Sequence, residues 1–247
     1  MESTLRRAWA EISLDNLTYN YNRIRQHIGP KVKFLGVVKA DAYGHGSVQV
    51  AEKLQSLGAD YLAVSSIDEA MELRINGITM PILILGHTPV EQVDRLICFN
   101  ITQTVSCEAK AEEYSSAAQR CSGTLKIHIK VDTGMSRLGY ICEGGYFEHG
   151  VDGIVHACSL PGLDADHQFK LFNRVIEEAE AKLGRTFPIR HCANTGAPAT
   201  SPEKHLDMVR PGLLLYGYGE HAKLLGLKPV MSMKTTVSTI KIYPAGT

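Results

Sequence analysis

The sequence predicts an α/β protein of the (β/α)8 barrel type, and three observations carry that expectation. Short apolar runs alternate with helical stretches about eight times along the 247 residues. The connections between them are a few residues long, and a barrel of this kind runs to about 250 residues as one domain. Polar residues gather where the apolar runs end, which in a barrel becomes one rim. An open doubly wound sheet shares the alternation, and pattern alone does not separate the two.

The elements follow in order. Residues 8–12 read as a short strand, and Ser13 caps a helix whose apolar positions Leu14, Leu17, Tyr21, Ile24 and Ile28 recur at three and four, with Gly29-Pro30 ending it. Residues 33–38 form the first core strand, which carries Lys39 at its end, and a helix follows from Gly46 to about Leu57, burying Val50, Ala51, Leu54 and Leu57 before Gly58. A strand over 61–64 precedes Ser66-Ile67-Asp68-Glu69, a capping box opening a helix to Asn76-Gly77. Residues 81–85 are a strand, and Pro89 starts a helix with Val90, Val93, Leu96 and Ile97 inward. A strand over 101–105, a helix from Ser106 to about Arg120, strands over 124–131 and 153–156, a helix over 166–183, and strands over 189–191 and 208–209 complete the count.

Composition removes several function classes. Lys+Arg and Asp+Glu both number 26, so no net charge favours nucleic acid or an anionic membrane. The six cysteines, Cys98, Cys107, Cys121, Cys142, Cys158 and Cys192, show neither a C-x-x-C pair nor zinc-ligand spacing. They read as reduced thiols of a cytoplasmic protein, mostly packed as small hydrophobes. The first ten residues lack an apolar signal core and no run of 18 apolar residues occurs, so the chain as given reads as soluble and unexported. His45, His128 and His191, with Cys158 and Cys192, resemble metal ligands only superficially, and no metal is expected.

The chemistry centres on Lys39. Alternation puts Lys33, Leu35, Val37 and Lys39 on one strand face. Burial lowers an ammonium's pKa and frees its amine to form a Schiff base with an aldehyde or ketone. On the fifth strand His128, Lys130 and Asp132 face away from Ile127, Ile129 and Val131, so polar groups line the interior, and a buried Lys130 requires a partner or a change of charge state. A loop then holds Arg137 between Gly134 and Gly139. His156 ends the sixth strand, residues 190–194 follow the seventh, and Arg210-Pro211-Gly212 follows the eighth.

Four segments in register, VVKADAYGHG (37–46), HIKVDTGMSRLG (128–139), Asn194-Thr195 and MVRPGLLLYG (208–217), resemble the alanine racemase family of pyridoxal-phosphate enzymes, and the likeness covers essentially the whole chain. The resemblance implies a fold-type III racemase barrel with pyridoxal 5'-phosphate (PLP) on Lys39, which also serves as base on one face of the substrate α-carbon. It assigns the phosphate to Tyr43, Thr195, Gly212, Leu213 and Tyr216, counts Asn194 among the cofactor contacts, and gives the pyridine nitrogen to Arg210, a permanent donor that leaves that nitrogen unprotonated. His156 matches the histidine that orients this arginine, although the segment before it is one residue short of the family pattern and a core histidine is the alternative. Arg137 matches the contact to the phenolic oxygen and the substrate carboxylate, and Lys130 a lysine carboxylated to pair with it. Tyr43 also reads as a packing aromatic.

The same resemblance divides the chain into an N-terminal strand (1–12), a PLP barrel (13–228) and the start of a C-terminal β domain (229–247), whose first strand is expected over 233–242. In the family the second base is a tyrosine from the partner subunit of a homodimer, expected beyond residue 247, so the chain as given is expected to be inactive or weakly active and its terminal strands to be exposed, frayed or paired with each other. Alanine is the expected substrate, for peptidoglycan supply. His156-Ala157-Cys158 is similar to serine racemase domains of vancomycin-resistance systems, which makes serine an alternative. A non-catalytic single-barrel PLP carrier is a second alternative, and a decarboxylase a third that the arginine at position 210 disfavours.

Overall fold

A computed structural model describes residues 7–134, 136–141, 154–157, 165–194 and 196–246, with backbone alone at 154–157 and 165. Eight parallel strands form its centre: β2 (Lys33–Val37), β3 (Tyr61–Val64), β4 (Ile82–Ile84), β5 (Thr102–Val105), β6 (Ile127–Asp132), β8 (Ile154–Ala157), β9 (Arg190–His191) and β10 (Met208–Val209). Their order is β10-β2-β3-β4-β5-β6-β8-β9. The ring closes between β9 and β10, where Asp207 N–H donates to Arg190 O and Arg210 N–H to Ala193 O, both at 3.0 Å. The barrel is therefore the arrangement adopted, and the open sheet is not. A two-residue strand, β7 (Tyr140–Ile141), pairs beside β8 along the end of β6.

The period of two decides what faces where. Phe34, Leu62, Val64, Ile82, Ile84 and Val209 point outward against helices α1 (Leu14–Ile28), α3 (Ser47–Ser56) and α4 (Ile67–Ile75). Their neighbours Leu35, Val37, Ala63, Leu83, Ile189 and Met208 point inward and fill the barrel floor. Fully burying a leucine, valine, isoleucine or methionine of this set is worth about 1.5–3 kcal/mol. The remaining helices, α5 (Val93–Cys98), α6 (Glu108–Arg120), α7 (Ala165–Leu183), α8 (Ala197–Thr200) and α9 (Glu220–Leu224), follow β4, β5, β8, β9 and β10. A single 3₁₀ turn over Val90–Gln92 precedes α5, so only Val93 and Leu96 of its expected inward set are fully buried.

Caps place the ends. Ser13 Oγ accepts Asn16 N–H at 3.1 Å and opens α1. Buried Asn20 ties α1 to the C-terminal segment, donating to Leu215 O (2.9 Å) and Lys228 O (2.7 Å) and accepting Lys228 N–H (2.8 Å). Strand β1 (Ala8–Ile12) pairs antiparallel with β11 (Met231–Thr235), from Ala8 opposite Thr235 to Ile12 opposite Met231. This corrects the strand expected over 233–242. The last rung is Thr236 N–H to Arg7 O, and beyond it Val237, Ile240 and Ile242 are exposed without a ladder to hold them.

The expected burial of the cysteines is also corrected. Cys98, Cys107 and Cys121 are exposed, because each sits on a helix end facing solvent, and Cys192 alone of the described four is buried. Cys142 and Cys158 lie outside the described residues.

Candidate functional site

Lys39 stands just past β2, on the rim, half-buried where the strand reading expected burial. It opens α2 (Lys39–Gly44), whose turn is left-handed: Ala40, Asp41, Ala42 and Tyr43 hold φ between 51° and 54° and ψ between 38° and 54°. For L-residues this conformation costs about 1–2 kcal/mol each, and four in a row persist only if the surroundings impose them. Several bonds do. Ala42 N–H donates to Val38 O at 2.9 Å. Glu69, from α4, accepts Ala40 N–H on Oε1 (2.8 Å) and Ser65 N–H on Oε2 (2.7 Å), clamping the ends of β2 and β3 together. Asp41 Oδ1 accepts Ser47 N–H at 2.6 Å, capping α3.

The sequence makes Glu69 the far half of a capping box. Ser66 Oγ does accept Glu69 N–H, at 3.4 Å, but the carboxylate bypasses Ser66 for Ser65 and Ala40. Local pattern accounts for Glu69 as a cap and therefore gives no signal of its second role. Among the described residues, the Lys39 amine has neither a carboxylate nor any other hydrogen-bond partner.

On the phosphate side as expected from sequence, Tyr43 is half-buried, its phenol pKa raised by burial, and its hydroxyl has no partner among the described residues. Its ring leans on Tyr216, centroids 5.5 Å apart. Tyr216 is fully buried and its hydroxyl donates to Val37 O at 2.9 Å, so it props the strand that delivers Lys39. Gly212 and Leu213 begin the turn after β10. That turn closes through Leu215 N–H to Gly212 O (2.9 Å) and Tyr218 N–H to Leu213 O (3.0 Å). Among the described residues no acceptor takes the Gly212 and Leu213 N–H groups. Asn194 is half-buried on the neighbouring strand end, and Thr195 lies outside the described residues.

Inside the barrel, Arg210 is 5% exposed. Its Nη1 donates to His191 O (3.0 Å) and lies 2.9 Å from His191 Nδ1, and Nη2 donates to Cys192 O (3.3 Å). A guanidinium only donates, so His191 Nδ1 accepts and its proton sits on Nε2. That proton points to His128 Nδ1 at 3.0 Å, which fixes the His128 proton on Nε2 in turn. Burial, and then the charge of Arg210, push the His128 pKa down to about 3, so the imidazole is neutral. Burial likewise raises the Cys192 thiol to about 11.

The arginine-orienting histidine observed is thus His191. The role expected of His156 falls on a side chain outside those described; its backbone lies between Lys130 and His191 in register. In the sequence His191 only ends a strand and resembles a metal ligand superficially, and neither feature names the arginine it meets. Lys130 is 1% exposed within the same interior. Arg137 is exposed on the loop after β6, where Asp132 Oδ1 accepts Gly134 N–H (2.9 Å) and Ser136 N–H (3.0 Å). Gly139, at φ 142°, closes that loop where a Cβ would stand 2.5 Å from Asp132 N. Among the described residues no three His, Cys, Asp or Glu side chains gather as a metal site, and no helix is long and apolar enough to cross a membrane.

The strand ends thus bring Lys39, Tyr43, Arg210 and the Gly212 turn onto adjacent strands, β2 and β10, of one rim. The family model for the alanine racemase N-terminal domain matches residues 12–220. An alanine racemase of Desulfosudis oleivorans is 40% identical over 97% of this chain and 68% of its own length. Among solved structures, the alanine racemase of D-cycloserine-producing Streptomyces lavendulae superposes with a TM-score of 0.89 at 32% identity, covering 99% of this chain and 69% of that one. The Clostridium difficile 630 alanine racemase in complex with cycloserine gives 0.86 at 34% identity, covering 98% and 71%.

Proposed function

The chain belongs to the alanine racemase family of isomerases, and from that premise we propose that it forms the cofactor-holding barrel of a PLP-dependent enzyme interconverting L- and D-alanine. The observation that carries the reading is Lys39: a half-buried amine without a partner among the described residues, on a turn held in a costly conformation at the barrel rim. The residues around it fit PLP chemically. Tyr43 hydroxyl and the Gly212 and Leu213 N–H groups are donors suited to a phosphate, and Arg210 is a fixed cation suited to a pyridine nitrogen. When bound, the cofactor supplies an electron-withdrawing ring that acidifies the substrate's α-hydrogen.

The protein's part is to position and to move protons. Lys39 takes or returns the proton on one face of the α-carbon. Arg210, oriented by His191, donates to the ring nitrogen and keeps it unprotonated, which limits the ring's electron demand to what proton exchange needs. Exposed Arg137 is assigned to the substrate carboxylate, and buried Lys130, as a carbamate, to neutralising that arginine. His156, Asn194 and Thr195 keep their expected roles as cofactor contacts in this reading, and Tyr216 contributes by bracing β2. A homodimer acting in the cytoplasm for cell-wall D-alanine completes the proposal.

Two measurements test it. PLP added to the purified chain gives a visible absorbance band, and borohydride fixes the cofactor on Lys39 by peptide mapping. Lys39→Ala loses both, and retention of the band by that variant refutes the assignment. An alanine racemisation assay on this chain then reports how far the barrel's own residues carry the reaction.

A further inference from the structure

We propose that His45 is a positioning residue: its imidazole locks the left-handed turn that carries Lys39 and Tyr43, and so sets the direction in which the lysine amine is presented. The proposal rests on the reading of Lys39 given above and extends it to a residue that neither touches the substrate nor the reacting atoms.

A left-handed turn built of Ala-Asp-Ala-Tyr has no intrinsic preference to persist, and the bonds at its last two carbonyls hold its end. The His45 backbone N–H donates to Ala42 O at 3.2 Å, and His45 Nδ1 adds a side-chain donor shared between Ala42 O (2.9 Å) and Tyr43 O (3.1 Å). Both partners are carbonyls, so Nδ1 carries the proton and Nε2 the lone pair. Nε2 is buried without a hydrogen-bond partner among the described residues, in a side chain 5% exposed. A residue present only to fill this space would do better without that atom. Its presence is explained if the donor on the other side of the ring is what the position requires.

The ring has a second contact. It lies against Tyr216 with centroids 4.4 Å apart and planes 32° apart, and Tyr216 in turn holds Val37 O. Lys39 is therefore bracketed: Val37, two residues before it, and Ala42 and Tyr43, three and four after it, are tied to one another through two rings. Phenylalanine would keep the stacking and lose the donor. Asparagine would place an amide nitrogen near the Nδ1 position and lose the ring. Glutamine would carry its amide out toward the Nε2 position, past both carbonyls.

The test compares His45→Phe, His45→Asn and His45→Gln in the full chain by PLP titration of the visible band, by the rate of borohydride-fixed labelling on Lys39, and by the Tm of the cofactor-free protein. His45→Phe and His45→Gln are expected to weaken PLP binding about tenfold and slow labelling in proportion, while His45→Asn stays within about threefold of wild type. Equal binding and labelling by all three overturn the proposal. So does a loss that follows the drop in Tm across all three, since that is packing alone. If His45→Phe fails to fold, the contrast between Asn and Gln decides on the same terms. A wild-type chain that takes no label on Lys39 overturns the cofactor reading and this proposal with it.

Discussion

The interior of the barrel is two unlike halves. Strands β2, β3, β4 and β10 send in Leu35, Val37, Ala63, Leu83 and Met208, a dry floor. Strands β5, β6 and β9 send in Thr102, Thr104, His128, Lys130 and His191, all buried. Burying polar groups costs less when they are paired, and in the second half a directed chain of hydrogen bonds runs from Arg210 through His191 to His128. The first half buries area and fixes β2 under Lys39. The second fixes charge. The difference teaches that one continuous sheet of parallel strands can line its interior with an apolar arc and a polar one, with the rim residues Lys39 and Arg210 following the strands of the apolar arc, β2 and β10, and the polar arc reaching Arg210 from the side.

Truncation should separate the arcs. Leu35→Ala leaves a cavity in the dry floor and is expected to cost about 2–5 kcal/mol in urea denaturation, the largest effect here, with the position of the PLP absorbance band unchanged. A band that shifts instead would show that the apolar floor sets the geometry of the rim residues above it, and would break the contrast. His191→Leu comes second. It strips an acceptor from Arg210 and a donor from His128, an expected loss of about 1–3 kcal/mol. Unlike Leu35→Ala, it should move the band, because the arginine loses its orientation. A spectrum identical to wild type would remove His191 from the site.

The barrel was legible because period-two alternation survives burial: in the sequence it puts Leu35 beside Val37 and sets His128 and Lys130 on one face. What stayed hidden has a common physical cause. The turn Ala40–Tyr43 is left-handed through bonds made by Glu69 and His45, not through its own residues, and alanine carries no mark of positive φ. Glu69 already had a local explanation as a cap. His191 needed a partner 19 residues on in sequence, which no local pattern names. The cysteines misled because a general tendency toward burial says nothing about which helix end each occupies.

The smallest expected effect is also the most specific to the polar arc. Unfolded, His128 titrates near 6.5; folded, burial and Arg210 hold it to about 3. The folded state thus binds fewer protons below the unfolded value, and stability falls as pH drops from about 6.5 toward 3, at a limiting slope of about 1.4 kcal/mol per pH unit. Urea denaturation at about pH 7 and about pH 5.5 should register a loss of about 1 kcal/mol from this residue alone. His128→Leu removes the titrating group, so its decline over that interval should be shallower than wild type's by the same amount, even though the variant starts lower for want of the His191 acceptor. Parallel declines would mean that His128 takes up its proton as readily in the fold as in the unfolded chain, and an imidazole charged at about pH 5.5 beside Arg210 is incompatible with the proton order derived from the guanidinium.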